Sequence, residues 1–397
     1  MWTLLFLALT SPSVGQGMDL EFAQAEVGSS ATETELIAWM DGLLSDPAGY
    51  RAQVRREAHS FPEGSLFPYV FPAMSWTNLA IRDPALRGDA REKIDILLKE
   101  IIPAVTLATS PPDGDLTKLG DYRSQAVMLG QLNLVLGCWK LVGGDDRHAA
   151  LHRRISGILA EALRTRNGQP LDSYPMLVWP FDTIPVIVSL HMADAEQYAD
   201  LIDRHLAWIE EHGLEPTTGL PYSRLDHRDL KPTVGPRGCD ISYRIALLAQ
   251  LDRRLATDLY ERYTRSFWIR RTLATGFAEW PDGRSDIADI DSGPVIMGLG
   301  TAATGLGIAA TRAADDAVRW RTLESELLLV TGVLKTFAPT VRKHPSFKAI
   351  PLNVDDYKTG FMFGDVCLLW ATTWVDWGVG RSQGSQAMAP SSPKATR

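Results

Sequence analysis

Cysteine is scarce in this chain of 397 residues: Cys138, Cys239 and Cys367 are the only three. None forms a CxxC pair or has a histidine at ligand spacing, which argues against structural zinc and allows at most one disulfide. The eight histidines are scattered and no HExxH occurs. A GxGxxG following a strand and a P-loop are also missing, and the GxSxG pattern at 380–384 stands at the edge of the expected tail and not in a strand-to-helix elbow, so nucleotide, serine-hydrolase and zinc-protease chemistries fall away. No cofactor or metal is implied. Positive charge is short as well, with a formal net charge of −8. No Lys/Arg stripe suits a nucleic acid or an anionic membrane; the brief basic runs at 55–57 and 147–154 read as solvated helix faces. Past the N-terminus no uninterrupted apolar run reaches spanning length, because the glycines and threonines of 294–310 favour packing inside protein.

What the chain does have is apolar content, 45% of its residues, enough to bury a large core. Residues 1–17 carry an apolar run from Trp2 to Leu9 followed by small residues, the pattern of a secretory signal, so the chain is expected to be exported, to the periplasm or beyond. Residues 381–397, rich in Ser, Gln, Pro and Ala, are expected to be a disordered tail. Between them, 30–378 reads as one domain. Strand-like alternation is rare there, whereas apolar residues at i, i+3, i+4 and i+7 recur throughout.

Two kinds of helix alternate. Amphipathic, charged helices are predicted near 33–57, 88–107, 146–165, 195–212, 252–270 and 315–336. Apolar helices rich in small residues are predicted near 65–82, 121–142, 181–193, 240–250, 292–312 and 358–377. Helices apolar all round belong inside and amphipathic ones outside. The expected fold is therefore all-α, an α/α toroid of about six helical hairpins with six inner and six outer helices; an open solenoid is the alternative. Connections leading into inner helices are long, as at 109–120, 167–180, 213–239, 272–291 and 337–358, and the returning ones are short. Loops of that length are usually functional, which places a site at the end of the toroid where they gather.

Four segments there combine acids with aromatics, glycines or prolines. In 173–185, Asp182 stands beside Trp179 and Tyr174, a pairing that suits a polyol, since sugar rings stack on aromatic faces and hydroxyls bond carboxylates; helix capping is the bland alternative. In 235–244, Asp240 follows a Gly/Pro turn with Arg237 and Arg244 nearby, preceded by Tyr222 and followed by Tyr243; a cap with an ion pair explains it equally. In 276–312, Glu279 adjoins Trp280. Asp289 and Asp291 are close enough to repel, so that one could hold a proton. Five glycines, Gly293, Gly298, Gly300, Gly305 and Gly307, thin the helix behind them, and each needs either close packing or a ligand to justify it. In 355–365, paired acids flank Tyr357 and Gly360. Of the cysteines only Cys239, beside this site, is a candidate reactive thiol.

The helical repeat and the acids at one end resemble the six-hairpin glycosidase superfamily over about 32–377. Locally, Gly238-Cys239-Asp240-Ile241-Ser242-Tyr243-Arg244 resembles the segment of trehalase-like enzymes that carries the catalytic acid. The resemblance implies a glycoside hydrolase acting on an oligosaccharide or smaller substrate, with Asp240 as general acid. Asp291 is the leading partner, with Asp182 and Glu279 in reserve. Trp179, Tyr174, Tyr222, Arg237, Tyr243, Arg244, Trp280, Asp289 and Tyr357 would bind substrate. The same toroid also serves polysaccharide lyases, epimerases, terpenoid cyclases and a linalool dehydratase/isomerase, and fold does not fix function. A lyase, epimerase or hydratase/isomerase using tyrosine and arginine, and a non-catalytic glycan-binding or scaffold protein, are the competing expectations.

Overall fold

The computed structural model describes residues 31–58, 62–271, 274–281, 292–296, 298–328, 353 and 355–379. The expected signal, the expected tail, Asp289 and Asp291 lie outside these residues. The described chain is mostly α-helix, as the periodicity predicts, with three short two-stranded hairpins. The helices are α1 (Ala31–Leu44), α2 (Pro47–Glu57), α3 (Phe67–Arg82), α4 (Arg87–Thr109), α5 (Ala126–Leu141), α6 (Ala149–Thr165), α7 (Thr183–Ala193), α8 (Ala199–His212), α9 (Gly238–Leu248), α10 (Arg253–Phe267) and α11 (Thr301–Ala313). A further helix, α12, covers 317–328, and α13 is Met362–Thr373. The hairpins pair β1 (Arg224–Leu225) with β2 (Pro232–Val234), β3 (Trp268–Arg271) with β4 (Ala274–Phe277), and β5 (Val295–Ile296) with β6 (Leu299–Gly300).

Local chemistry explains where these helices start and stop. The amphipathic stretch predicted as one helix over 33–57 is two, because Asp46 caps a new start, its carboxylate accepting the Gly49 N–H at 3.1 Å with Pro47 in the first turn. Asp252 caps α10 by accepting the Leu255 N–H at 2.9 Å. Apolar composition all round produces burial all round: α3 is buried from Phe67 to Ala80 and α5 from Ala126 to Trp139. The apolar helix predicted from 292 begins only at Thr301. Residues ahead of it form β5 and β6, with Gly293 and Gly298 at φ +60° and +85°, a left-handed backbone that glycine alone adopts without cost. Of the glycines inside α11, Gly307 is explained by packing, since a Cβ there would lie 2.5 Å from the Phe277 ring.

The apolar helices pack in chain order: α3 on α5, α5 on α7, α7 on α9, α9 on α11, α11 on α13, and α13 back on α3. The amphipathic helices lie across the joints, α4 on α3 and α5, α6 on α5 and α7, α8 on α6 and α7, α10 on α9 and α11. Side chains from several apolar helices meet: the Tyr243 ring of α9 packs against Phe71 of α3, Trp370 of α13 and Phe181 just ahead of α7, and Gln131 of α5 donates to its hydroxyl at 3.1 Å. No helix among the described residues is long and apolar enough to cross a membrane.

Segments leading into the apolar helices touch one another: the Ala126 N–H donates to Asp172 O, Leu225 N–H to Val178 O, and Gly238 N–H to Glu279 O. At the opposite ends of those helices, residues 374–379 form a strap. Trp374 Nε1 donates to Ala246 O at 3.1 Å, Gln250 donates to Val375 O at 2.9 Å and accepts the Trp377 N–H at 2.8 Å, and Trp377 Nε1 donates to Asn78 Oδ1 at 2.5 Å. His191 of α7 pairs with Val379 O. The strap thus joins α3, α7 and α9. Trp377→Ala should lower unfolding free energy by about 3 kcal/mol, combining the loss of a buried ring with an unsatisfied Asn78 carbonyl. Urea unfolding measures this; a change below about 0.5 kcal/mol would mean the strap is ornamental.

Candidate functional site

The best-defined cluster of charge lies where the 222–237 segment, the first turn of α9 and the turn after β4 meet. Asp240, in that first turn, is four residues before Arg244, which brings both side chains onto one helical face. Arg244 donates from Nε to Oδ1 at 3.0 Å and from one terminal nitrogen to both carboxylate oxygens at 2.8 Å. Both groups are buried, with exposures of 4% and 1%. Ser223 joins Asp240 to the preceding turn: its hydroxyl donates to Oδ2 at 2.6 Å and accepts the Arg237 N–H at 3.0 Å. Of the structural alternative, the ion pair with Arg244 is present and the cap is not.

Glu279 reaches the same turn from β4. It is fully buried and accepts from Arg237 Nε at 2.8 Å and from the Cys239 N–H and Sγ, each at 3.2 Å. Gly238 makes this approach possible, since a Cβ there would stand 2.0 Å from Ala278 O. The Arg237 guanidinium also lies 5.4 Å over the Trp280 ring, a cation–π contact. The polar chain therefore runs Glu279, Arg237, Ser223, Asp240, Arg244. Burial pushes both carboxyls above their ordinary range, and the neighbouring arginines and hydrogen bonds pull them back.

Asp240, Glu279, Arg237, Arg244 and Trp280 thus come together, and Tyr222 joins through its carbonyl, which accepts from Arg244 at 3.3 Å. No protein-family model matches this chain, and no curated protein matches it. Tyr174 and Trp179 belong to the adjoining segment, in edge contact at 6.3 Å. Asp182 is buried at the start of α7 without capping it, and its charge bears on Tyr122 and Tyr243. Tyr243 turns into the aromatic core, where burial drives its phenol up. Tyr357 is elsewhere, packed on Trp39 of α1 and bonded to Gln53 of α2. Asp289 and Asp291 are outside the described residues.

Ser223 was not singled out by the sequence because nothing in its neighbourhood marks it; its partner is 17 residues away. Asp365 is a second omission. The paired Asp355 and Asp356 are exposed, whereas Asp365 is buried and accepts the Lys358 and Thr359 N–H groups and the Thr359 hydroxyl, each at 2.7 Å. Burial raises its carboxyl to about 6 against those donors. All three cysteines are free thiols; burial pushes Cys138 up to about 12 and Cys367 well above its ordinary range. Cys239 alone is partly exposed. Among the described residues no group of His, Cys, Asp and Glu could hold a metal ion.

Proposed function

We propose that this chain is an exported carbohydrate-active enzyme, a glycoside hydrolase, built as an α/α toroid with α3, α5, α7, α9, α11 and α13 inside. The cyclic order of helix contacts supports the toroid. One observation carries the chemistry: two buried carboxyls, Asp240 and Glu279, each with raised proton affinity, are coupled through Arg237 and Ser223 beside Trp280. A buried carboxyl with raised proton affinity can deliver its proton to a leaving glycosidic oxygen. Its ionised partner then activates water, or attacks the anomeric carbon in a retaining enzyme. Asp182 is the reserve acid.

The same pairing also supports a second reading, a non-catalytic glycan-binding protein, because each of the two acids already has an arginine partner. Product analysis on a panel of oligosaccharides separates the readings. Hydrolysis by the wild type that falls about a hundredfold or more in Asp240→Asn and in Glu279→Gln is the expected result for the enzyme. Binding without turnover would favour the binding protein, and turnover unchanged in both variants would remove this pair from the mechanism. The lyase or isomerase alternative, which draws on Tyr222, Tyr243 or Tyr357 with an arginine, is less well supported, since burial raises the phenols of Tyr222 and Tyr243 and Tyr357 packs elsewhere, on Trp39 and Gln53.

A further inference from the structure

The two carboxyls are surrounded differently, and the difference assigns their roles. Around Asp240 the partners among the described residues are all donors, with three contacts from a full positive charge and one hydroxyl. Such a shell holds a carboxylate; a proton on either oxygen would displace a charge-assisted bond. Glu279 has one guanidinium bond at Oε1 and one backbone N–H at Oε2, and its further partner among the described residues is the Cys239 thiol, which shares Oε1 with Arg237. A thiol is a weak donor and a weak acceptor. It can give its proton to a glutamate carboxylate or turn and accept one from a glutamic acid.

We propose that Cys239 is a positioning residue for Glu279: its reversible hydrogen bond lets Glu279 alternate between carboxylate and carboxylic acid, while Asp240 stays the ionised partner. This rests on the acid/base reading above and reverses the assignment implied by the trehalase-like segment, in which Asp240 gives the proton. The charged or titratable groups that face Glu279 among the described residues are Arg237 ahead of α9, Cys239 on α9 and the Tyr263 phenol of α10. Arg237 favours the anion, and Tyr263 is kept neutral by burial. Among the described residues, the Cys239 thiol is the neighbour that can bond Glu279 in either protonation state, more strongly as the anion.

Two substitutions pull in opposite directions. Cys239→Ser supplies a stronger donor and favours the carboxylate, whereas Cys239→Ala removes the donor and favours the acid. The proton on Glu279 is followed in the full-length protein by difference infrared spectroscopy of its carboxyl band, identified as the one that vanishes in Glu279→Gln. Circular dichroism confirms that each variant is folded. The band should titrate about one pH unit lower in Cys239→Ser and shift upward in Cys239→Ala. With a hydrolysed glycoside, the basic limb of the kcat/KM profile should move by the same amounts. A Glu279 band that titrates at the same pH in all three proteins, or a Glu279 that stays ionised wherever the protein is folded, overturns the proposal. Absence of turnover on every glycoside with the infrared shifts intact would instead overturn the hydrolase reading and leave the Cys239 assignment standing.

Discussion

Replacing Arg244 by methionine should reduce the unfolding free energy by about 3–5 kcal/mol, the usual effect of stripping one partner from a buried ion pair. Methionine keeps most of the apolar stem, so the loss reports charge and hydrogen bonding in preference to packing. Arg244 supplies three hydrogen bonds to Asp240 and one to Tyr222 O. Without it the buried carboxylate keeps, among the described residues, the Ser223 hydroxyl and the more distant Arg237, and its escape is to take up a proton. Asp240→Asn in the same background removes that charge while leaving an acceptor for Ser223. The double variant should therefore recover a large part of the loss. Denaturant unfolding at constant m measures both proteins. If the double variant is as unstable as the sum of the two single ones, the groups are not coupled and the account of this pair is wrong.

The second large effect is a loss of stability in acid that belongs to a single histidine. His205 of α8 is fully buried, its Nδ1 bonded to Gly168 O at 2.8 Å, and its Nε2 has no partner among the described residues. Burial lowers its pKa from 6.5 to about 4, with the Arg244 charge adding to this and the Gly168 bond opposing it. The unfolded chain then binds more protons than the folded one between pH 6.5 and about 4. Stability therefore falls as the pH is lowered through that window and is unaffected above it, by roughly 3 kcal/mol in total for this group. His152, lowered to about 4 by burial, acts in the same sense. Asp365 acts in the opposite sense, since a carboxyl raised to about 6 gains a proton in the folded state first. The net curve mixes these, so the diagnostic quantity is the difference between wild type and His205→Asn, whose amide can still donate to Gly168 O. That difference should shift by roughly 3 kcal/mol in favour of the variant on going from pH 7 to pH 4. Parallel stability curves for the two proteins would show that His205 is protonated as readily folded as unfolded.

Much of the helical layout is legible from periodicity because burial on all sides or on one side leaves a direct mark in composition. The prediction of a helix over 88–107 against α4 at Arg87–Thr109 is an example. Errors arise where a short polar signal overrides the apolar pattern. Asp46-Pro47 splits one predicted helix, and Gly293 and Gly298 turn the start of another into a hairpin. At the site, the Asp240–Arg244 pair is legible because its spacing is helical. Ser223 and the Cys239–Glu279 contact are not, because each depends on a tertiary approach of segments 17 and 40 residues apart. The thinned helix behind the site has a similar lesson: Gly307 makes room for Phe277, a residue of β4 that no helical period points to.

The strap at 374–379 also sets an order of assembly. Asn78, on the first apolar helix, meets its partner Trp377 across 299 residues of chain. During synthesis the Asn78 amide waits for this partner until 299 further residues have been made. Contacts of such separation are made late and slow folding. The early hairpins must therefore survive with their closing surfaces uncovered, a state exposed to aggregation. A chain cut short before Trp374 would lack these closing contacts.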